Sequence, residues 1–175
     1  ASSALLCGCS PQWQAQGGEA TVLVTGAIPW TVEESVQTTF SVDSQNNEDL
    51  AILCGVLSDG SYDIYALTTF LDPLKRFKVG VNVSRYLGSS GYGAEGDPSM
   101  AWGRMTFRDE GEEGWFSSED VPCTGYIDEE SLRGEFSCTG IMGSTADSAG
   151  DELDGPMDFT MSYICGRESD FVDSE

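Results

Sequence analysis

The chain lacks the residue types on which most enzyme mechanisms depend. It contains no histidine, so neither a Ser-His-Asp nor a Cys-His arrangement can form, and no histidine can ligate a metal. It also has no Gly-x-Ser-x-Gly elbow, no Ser-x-x-Lys and no Gly-x-x-x-x-Gly-Lys phosphate loop. With 30 acidic residues, some carboxylate pair would reach glycosidase spacing by chance, so carboxylates alone carry no signal. We therefore expect a protein that is not an enzyme.

Acidic loops are the remaining candidates for metal chemistry, because calcium is bound by several oxygens from one flexible loop. The best segment is 147–155, with Asp147, Asp151 and Asp154 as candidate ligands, and 43–49 is the second. Neither segment has the Asp-x-Asp-x-Asp-Gly spacing, so both are more typical of solvated turns. Calcium is the one cofactor that the sequence leaves open, and we expect no other.

Four tryptophans suggest a different kind of site, because sugars stack on exposed aromatic rings. Trp30 heads the inward register of its strand and is expected in the core. Trp102 shares a strand face with Arg104 and Thr106, which is the more polar face of that strand. Trp102 and Trp115 are therefore the candidate glycan-binding pair, although core packing is the commoner role for such rings.

Four of the six cysteines lie in the body of the chain: Cys54, Cys123, Cys138 and Cys165. An even number in a glycine-rich β chain predicts disulfides and an oxidising compartment. No pair has Cys-x-x-Cys spacing, which disfavours zinc. Three pairings are open. We favour Cys123–Cys138, which flank a predicted hairpin at 128–131, together with Cys54–Cys165.

A short motif near the start contains the other two cysteines. Leu6-Cys7-Gly8-Cys9 resembles the lipobox of exported bacterial envelope lipoproteins, Leu-x-Gly-Cys. The resemblance covers four residues and departs at its second position, where Cys7 replaces the usual small residue such as Ala or Ser. It implies a lipid anchor on Cys9 and a signal-peptide remnant in residues 1–8.

A second interpretation keeps this segment in the mature chain as a strand-exchange leader. The apolar stretch 4–9 must then be buried, and the open sheet edge of a neighbouring subunit would accept it as an added strand. Cys7 and Cys9 would then be available for disulfides within or between subunits. The chain begins at Ala1 rather than at a methionine, which fits a processed product under either interpretation.

The charge of the chain disfavours two classes of partner. Its net charge is −22, from 30 acidic and 8 basic residues. Nucleic acids and anionic membranes both require a basic face, so we expect no nucleic-acid partner. No stretch approaches the roughly 20 apolar residues of a membrane span. Four of the basic residues fall within 75–85. They would form a basic patch that meets an acidic patch on a neighbouring copy or, more simply, the outer face of one strand.

Alternation with a period of two residues dominates the chain and predicts strands. The predicted strands are 20–25, 30–42, 50–57, 62–70, 76–86, 100–108, 115–116, 132–142 and 157–165. Asp59-Gly60 is typical of a two-residue hairpin turn, and 88–99 is predicted as a glycine-rich loop. We expect an antiparallel β-sandwich or barrel of about 8–10 short strands, stabilised by disulfides, over residues 19–167. A leader and linker (1–18) precede it and an acidic tail (168–175) follows it.

Two classes of function fit these features. The first, which we favour, is a non-catalytic structural or assembly protein of the cell exterior. It would be a filament-type or adhesive subunit that self-associates by strand addition through its N-terminal segment, or a lipid-anchored envelope domain. The second is a secreted module that binds calcium or a glycan. Both place the protein outside the cell or at its surface.

Overall fold

The computed structural model describes residues 13–26, 37–43, 51–71, 74–93, 99–109, 114–118, 120–145, 156–166 and 171–172. This part of the chain is all β, and no helix occurs in it. It accordingly contains no helix long and apolar enough to cross a membrane. The strands are β1 (Trp13–Gln16), β2 (Gly18–Gly26), β3 (Gln37–Asp43), β4 (Ala51–Val56), β5 (Tyr62–Leu71), β6 (Leu74–Val83), β7 (Ser90–Tyr92), β8 (Ala101–Asp109), β9 (Gly114–Ser118), β10 (Val121–Asp128), β11 (Arg133–Ile141), β12 (Gly143–Thr145), β13 (Met157–Cys165) and β14 (Phe171–Val172).

The strands form one antiparallel sheet that is nearly closed into a barrel. The order along it is β14-β1-β4-β5-β6-β8-β10-β11-β13-β2-β3, with β9 and β7 added beside β8 and β10, and β12 beside β9. The predicted all-β, antiparallel and disulfide-stabilised class is confirmed. Of the two predicted architectures, the nearly closed barrel is the one that forms.

The two sides of the nearly closed barrel come together at a bend between β1 and β2. β1 is hydrogen-bonded to β4, whereas β2 continues from it and is hydrogen-bonded to β13. At the bend Gly17 and Gly18 have φ values of +87° and +125°, which side chains rarely adopt. The Gly17 N–H donates to the Ile52 carbonyl at 2.9 Å, and its own carbonyl accepts from the Gly166 N–H at 2.8 Å. One bent segment thus joins the two sides of the seam.

The Cys54–Cys165 disulfide crosses this seam. In the backbone register Cys54 of β4 lies opposite Ala15 of β1, and Cys165 of β13 lies opposite Gly18 of β2. The two cysteines therefore flank the bend. Their Cα atoms are 6.2 Å apart. The other disulfide joins Cys123 and Cys138, which are directly opposite each other on β10 and β11. This connectivity is the one favoured from the sequence.

Four short strands lie where the sequence predicted none: β12, of three residues, directly follows the predicted strand 132–142, and the other three fall in segments predicted to be irregular. β1 falls in the segment assigned to the linker, β14 in the segment assigned to the acidic tail, and β7 in the predicted glycine-rich loop. With four, two and three residues, each is too short for a period of two to be recognised. The sheet therefore has fourteen strands, and it includes residues on both sides of the predicted domain.

The predicted Asp59-Gly60 hairpin joins β4 and β5, but its loop has three residues rather than two. The Leu57 N–H donates to the Ser61 carbonyl at 2.8 Å, and the Gly60 N–H donates to the Leu57 carbonyl at 2.9 Å. Gly60 has a φ of +83°, the left-handed glycine typical of three-residue loops. Hydrogen bonds from the Ser61 hydroxyl and N–H lower the pKa of Asp59.

The barrel interior is filled by the inward side chains of the strands and contains a buried tyrosine pair. The hydroxyl oxygens of Tyr62 and Tyr163 are 3.0 Å apart. Tyr62 also stacks on Tyr86, and Tyr163 stacks on Phe136. Burial raises the pKa of both Tyr62 and Tyr163, so both phenols are neutral at physiological pH. Each hydroxyl has a partner, and the pair is a structural feature of the core.

Candidate functional site

Several residues singled out from the sequence lie outside the described part of the chain. They include the calcium candidates Asp147, Asp151 and Asp154, and the leader cysteines Cys7 and Cys9. Within the residues that the structure does describe, no group of three or more acidic, cysteine or histidine side chains could hold a metal ion. Calcium binding, lipidation of Cys9 and strand addition by the leader therefore stay predictions.

A shallow groove of about 400 Å³ lies on the outer face of β5, β6 and β8. Residues paired across antiparallel strands point to the same face, so the backbone register sets out the groove in rows. The rows are Asp63–Asn82–Trp102, Tyr65–Gly80–Arg104 and Leu67–Lys78–Thr106. Asp120, just before β10, lines the side beyond Arg104. We call this site the Gly80 groove, after the residue at the centre of the three rows.

Gly80 leaves the floor of the groove open down to the backbone. It is not among the residues with positive φ, so its backbone conformation does not require glycine. A Cβ atom at this position would be in close contact with its neighbours, 3.3 Å from the Cβ of Tyr65 and 3.4 Å from the Ile64 carbonyl oxygen. Every other position in the three rows carries a side chain, and the groove is the hollow that they surround.

Two pairs of polar side chains order the rim of the groove. The Asn82 side-chain amide donates to Asp63 Oδ1 at 2.6 Å. The Arg104 guanidinium donates from Nε to Asp120 Oδ1 at 2.7 Å and from Nη2 to Oδ2 at 3.1 Å. Each pair retains hydrogen-bonding capacity, because a carboxylate accepts about four hydrogen bonds and a guanidinium donates five. The rim thus presents both donors and acceptors to a ligand.

Lys78 and Tyr65 form a cation–π pair beside Gly80. The Lys78 Nζ atom is 4.3 Å from the centroid of the Tyr65 ring. The described residues provide Lys78 with this ring contact and no ion pair with a carboxylate. Because Lys78 is exposed, its charge is available to a ligand in the groove.

Trp102 forms one end of the groove, with 37% of its surface exposed. Its neighbours in the register are Asn82 on β6 and Pro122 on β10. The other predicted glycan-binding residue, Trp115 on β9, lies opposite Arg108 of β8 in the backbone register. Since Arg108 is six residues from Trp102 along β8, the two positions are roughly 20 Å apart. Trp102 therefore belongs to the Gly80 groove, and joint glycan binding by the two tryptophans stays a prediction.

A second, smaller groove of about 280 Å³ lies on the outer face of β2, β13, β11 and β10. Its exposed aromatic residue is Tyr126, with 51% of its surface exposed. The residues that line this groove include one row of the register across the four strands, Tyr126–Glu135–Ser162–Thr21. This row contains no glycine. Tyr126 is therefore an exposed aromatic residue that serves as a control for Trp102.

The side chains of the Gly80 groove could bind a ligand through both apolar and polar contacts. An exposed indole provides an apolar face, and the surrounding amide, carboxylate and guanidinium groups provide hydrogen bonds. Histidine is absent from the chain, so no imidazole can activate the hydroxyl of Thr106 as a nucleophile. A ligand that combines apolar ring faces with many hydroxyl groups matches this set of side chains.

Reasoning from sequence identified Trp102 but missed the rest of the groove. A signal was present in β6, where Gly80 interrupts the outward series of Lys78 and Asn82. An isolated glycine in an alternating strand often marks a close approach or a ligand. The partners on β8 could not be identified in this way, because β6 pairs with β8 and not with β7, the strand that follows it in the sequence.

Comparison of the chain with protein-family models, with curated proteins and with solved structures found no significant match.

Proposed function

We propose that this chain is a non-catalytic carbohydrate-binding module that acts outside the cell or at its surface. The observation that carries the proposal is the Gly80 groove, in which an exposed tryptophan and a polar rim surround a floor without a side chain. The two disulfides support the proposed location, since disulfides persist in oxidising compartments.

The residues of the groove match the two kinds of surface that a sugar offers. The C–H face of a pyranose is apolar and packs on an aromatic ring such as Trp102, which presents its indole at the groove's end. The hydroxyl groups of a sugar both donate and accept, and the Asp63–Asn82 and Arg104–Asp120 pairs supply acceptors and donors beside that ring. These pairs are already hydrogen-bonded, so less ordering is required when a ligand binds.

The dimensions of the groove favour a stretch of polymer over a single sugar. Three adjacent strands are about 10 Å wide, and the four-residue step from the Trp102 row to the Lys78 row is about 13 Å long. The groove lies on the outer face of the sheet and is longer than one sugar ring, so a short segment of a polymer would fill it better than a single sugar.

Replacing Trp102 by alanine should abolish most polysaccharide binding. Tryptophan is enriched among residues that dominate binding energy, so we expect Trp102→Ala to weaken binding at least tenfold, or roughly 1.4 kcal/mol. The measurement is affinity electrophoresis of the oxidised protein through gels that contain one soluble polysaccharide each, neutral or acidic, followed by titration with the best ligand.

The matched control for this variant is Tyr126→Ala, which removes an exposed ring from the other groove. It should bind as the unmodified protein does, and thermal unfolding should show that both variants fold. If no polysaccharide retards the unmodified protein, or if Trp102→Ala binds as tightly as Tyr126→Ala, the Gly80 groove is not a carbohydrate site.

A second candidate function is self-association by strand addition through residues 1–9. The observation that favours it is the position of β3 at one end of the sheet, where the described residues pair it only with β2. An edge strand with one free side is a template for an added strand. The apolar segment around Leu5 and Leu6 would supply that strand from a neighbouring copy.

Deleting residues 1–9 should convert an assembled protein to a monomer without unfolding it. The measurement is sedimentation velocity of the full chain and of the deletion variant. The control is Cys7→Ser with Cys9→Ser, which keeps the apolar segment and prevents any disulfide through Cys7 or Cys9. If the deletion variant sediments at the same size as the full chain, the segment has no role in assembly; a diacylglycerol found on Cys9 by mass spectrometry would assign it to an anchor instead.

A further inference from the structure

The charged side chains that line the Gly80 groove balance one another. Among the described residues there are two cations, Lys78 and Arg104, and two anions, Asp63 and Asp120. Arg104 is compensated directly by Asp120, with 2.7 Å between Nε and Oδ1, and Lys78 lies over the ring of Tyr65. The described lining therefore has no net charge that an ionic ligand would neutralise.

The Asp63–Asn82 pair lies beside the indole of Trp102 and presents a donor next to an acceptor. These three residues form one row of the register across β5, β6 and β8, and all three line the groove. Asn82 Nδ2 donates to Asp63 Oδ1 at 2.6 Å. Because an amide nitrogen donates two hydrogen bonds and a carboxylate accepts about four, both groups keep capacity for a ligand.

Two hydroxyl groups on neighbouring ring carbons match this pair of groups. Each hydroxyl both donates and accepts, so one can donate to the Asp63 carboxylate while its neighbour accepts from the Asn82 amide. A carboxylate or phosphate on the ligand accepts only, and it would face Asp63 as a like charge. An ammonium group donates only, and it would leave the Asn82 amide and the Arg104 guanidinium without an acceptor.

We infer that the ligand of the Gly80 groove is a neutral polysaccharide with free hydroxyl groups on adjacent ring carbons, and that Asp63 and Asn82 bind one such pair. The inference rests on the proposed carbohydrate-binding function and adds the charge and the linkage of the ligand. A 1,4-linked hexose polymer keeps an adjacent pair, at carbons 2 and 3, on every internal ring. A 1,3-linked polymer does not, because its linkage occupies the hydroxyl between the two that stay free.

Three probes separate charge from linkage in titrations of the oxidised protein. Glucomannan is neutral and 1,4-linked, sodium polygalacturonate is acidic and 1,4-linked, and laminarin is neutral and mainly 1,3-linked. We expect glucomannan to bind roughly tenfold more tightly than either of the others, because only its hydroxyl pairs match Asp63 and Asn82 without a like charge. Its affinity should hardly change between low and high ionic strength, because screening acts on charged ligands.

Asp63→Asn tests the carboxylate, because it keeps the size of the side chain and replaces the anionic acceptor by an amide. We expect it to weaken glucomannan binding roughly tenfold. An acidic polymer would instead bind more tightly once the like charge is removed. The matched control is Glu135→Gln, which removes one carboxylate from the second groove, where Glu135 Oε2 lies 3.4 Å from Ser162 Oγ. Glu135→Gln should bind as the unmodified protein does, and thermal unfolding should show that both variants fold.

The outcomes distinguish this inference from the proposed function. Preference for glucomannan at both ionic strengths, with loss in Asp63→Asn and retention in Glu135→Gln, supports both. Polygalacturonate or laminarin bound as tightly as glucomannan, or Asp63→Asn bound as tightly as Glu135→Gln, overturns the inference and leaves carbohydrate binding in place. If none of the three probes binds, the inference is contradicted, and the proposed function fails with it only if the wider gel screen also finds no ligand.

Discussion

Removing the Cys54–Cys165 disulfide should destabilise the protein by about 4–5 kcal/mol, because it closes a loop of more than a hundred residues. Domains of this size lose roughly 2–4 °C in Tm for each kcal/mol, so the double variant Cys54→Ala with Cys165→Ala should melt about 10–20 °C lower. Both cysteines are buried, and the bond crosses the seam at which the barrel closes. Thermal unfolding of the variant and the unmodified protein, followed by circular dichroism, measures the difference.

The Cys123–Cys138 disulfide provides the matched control. It joins directly opposed residues of a hairpin, only 15 residues apart in sequence, so the chain-entropy loss is smaller, about 3 kcal/mol. Thiol counting under denaturing, non-reducing conditions should find no free thiol in a Cys7→Ser, Cys9→Ser background. Two or more free thiols in that background would contradict the disulfide assignment. If Cys54→Ala with Cys165→Ala lowers the Tm less than Cys123→Ala with Cys138→Ala does, the proposed role of Cys54–Cys165 at the seam is contradicted.

The fold class could be predicted from the sequence because the alternation of apolar and polar residues identifies which side chains face the interior of a sheet. Alternation over β13 places Met157, Phe159, Met161, Tyr163 and Cys165 on one face, and all five are buried. The same pattern put Cys138 and Cys165 inward, which limited the plausible disulfides. Closure of the sheet at Gly17 and Gly18 could not be predicted, because a glycine pair carries no information about which distant strands meet there.

The Gly80 groove was less predictable because it depends on the register of three strands. Trp102, Asn82 and Asp63 are about 20 residues apart in sequence and meet in one row only when β6 lies between β5 and β8. β6 pairs with β8 rather than with β7, the next strand in the sequence, because β7 pairs with β10. Composition indicated a strongly acidic chain, whereas the pairing of β6 with β8 is what brings Lys78 and Arg104 into one groove.

Gly103→Ala should be among the most damaging single-residue changes in the barrel. Gly103 is buried on β8, and a Cβ atom there would overlap the Sγ atoms of Cys123 and Cys138 and lie 3.1 Å from the Phe159 ring. The sulfur atoms of a cross-strand disulfide cannot move aside as the end of a flexible side chain can. We expect a loss of about 3 kcal/mol, at the upper end of overpacking effects in cores, measured by denaturant unfolding of the oxidised protein.

Gly91→Ala separates this overlap from the general effect of replacing a strand glycine. Gly91 on β7 also lies in a strand, but an added Cβ there would have only the Gly125 carbonyl oxygen nearby, at 3.8 Å. Without overlap, alanine in place of glycine stabilises by roughly 0.5–1 kcal/mol, because it reduces the entropy of the unfolded chain. If the disulfide is the obstacle, Gly103→Ala should cost less in a Cys123→Ala, Cys138→Ala background, with a coupling of about 1–2 kcal/mol. An equal penalty in both backgrounds would show that the disulfide does not require glycine at position 103.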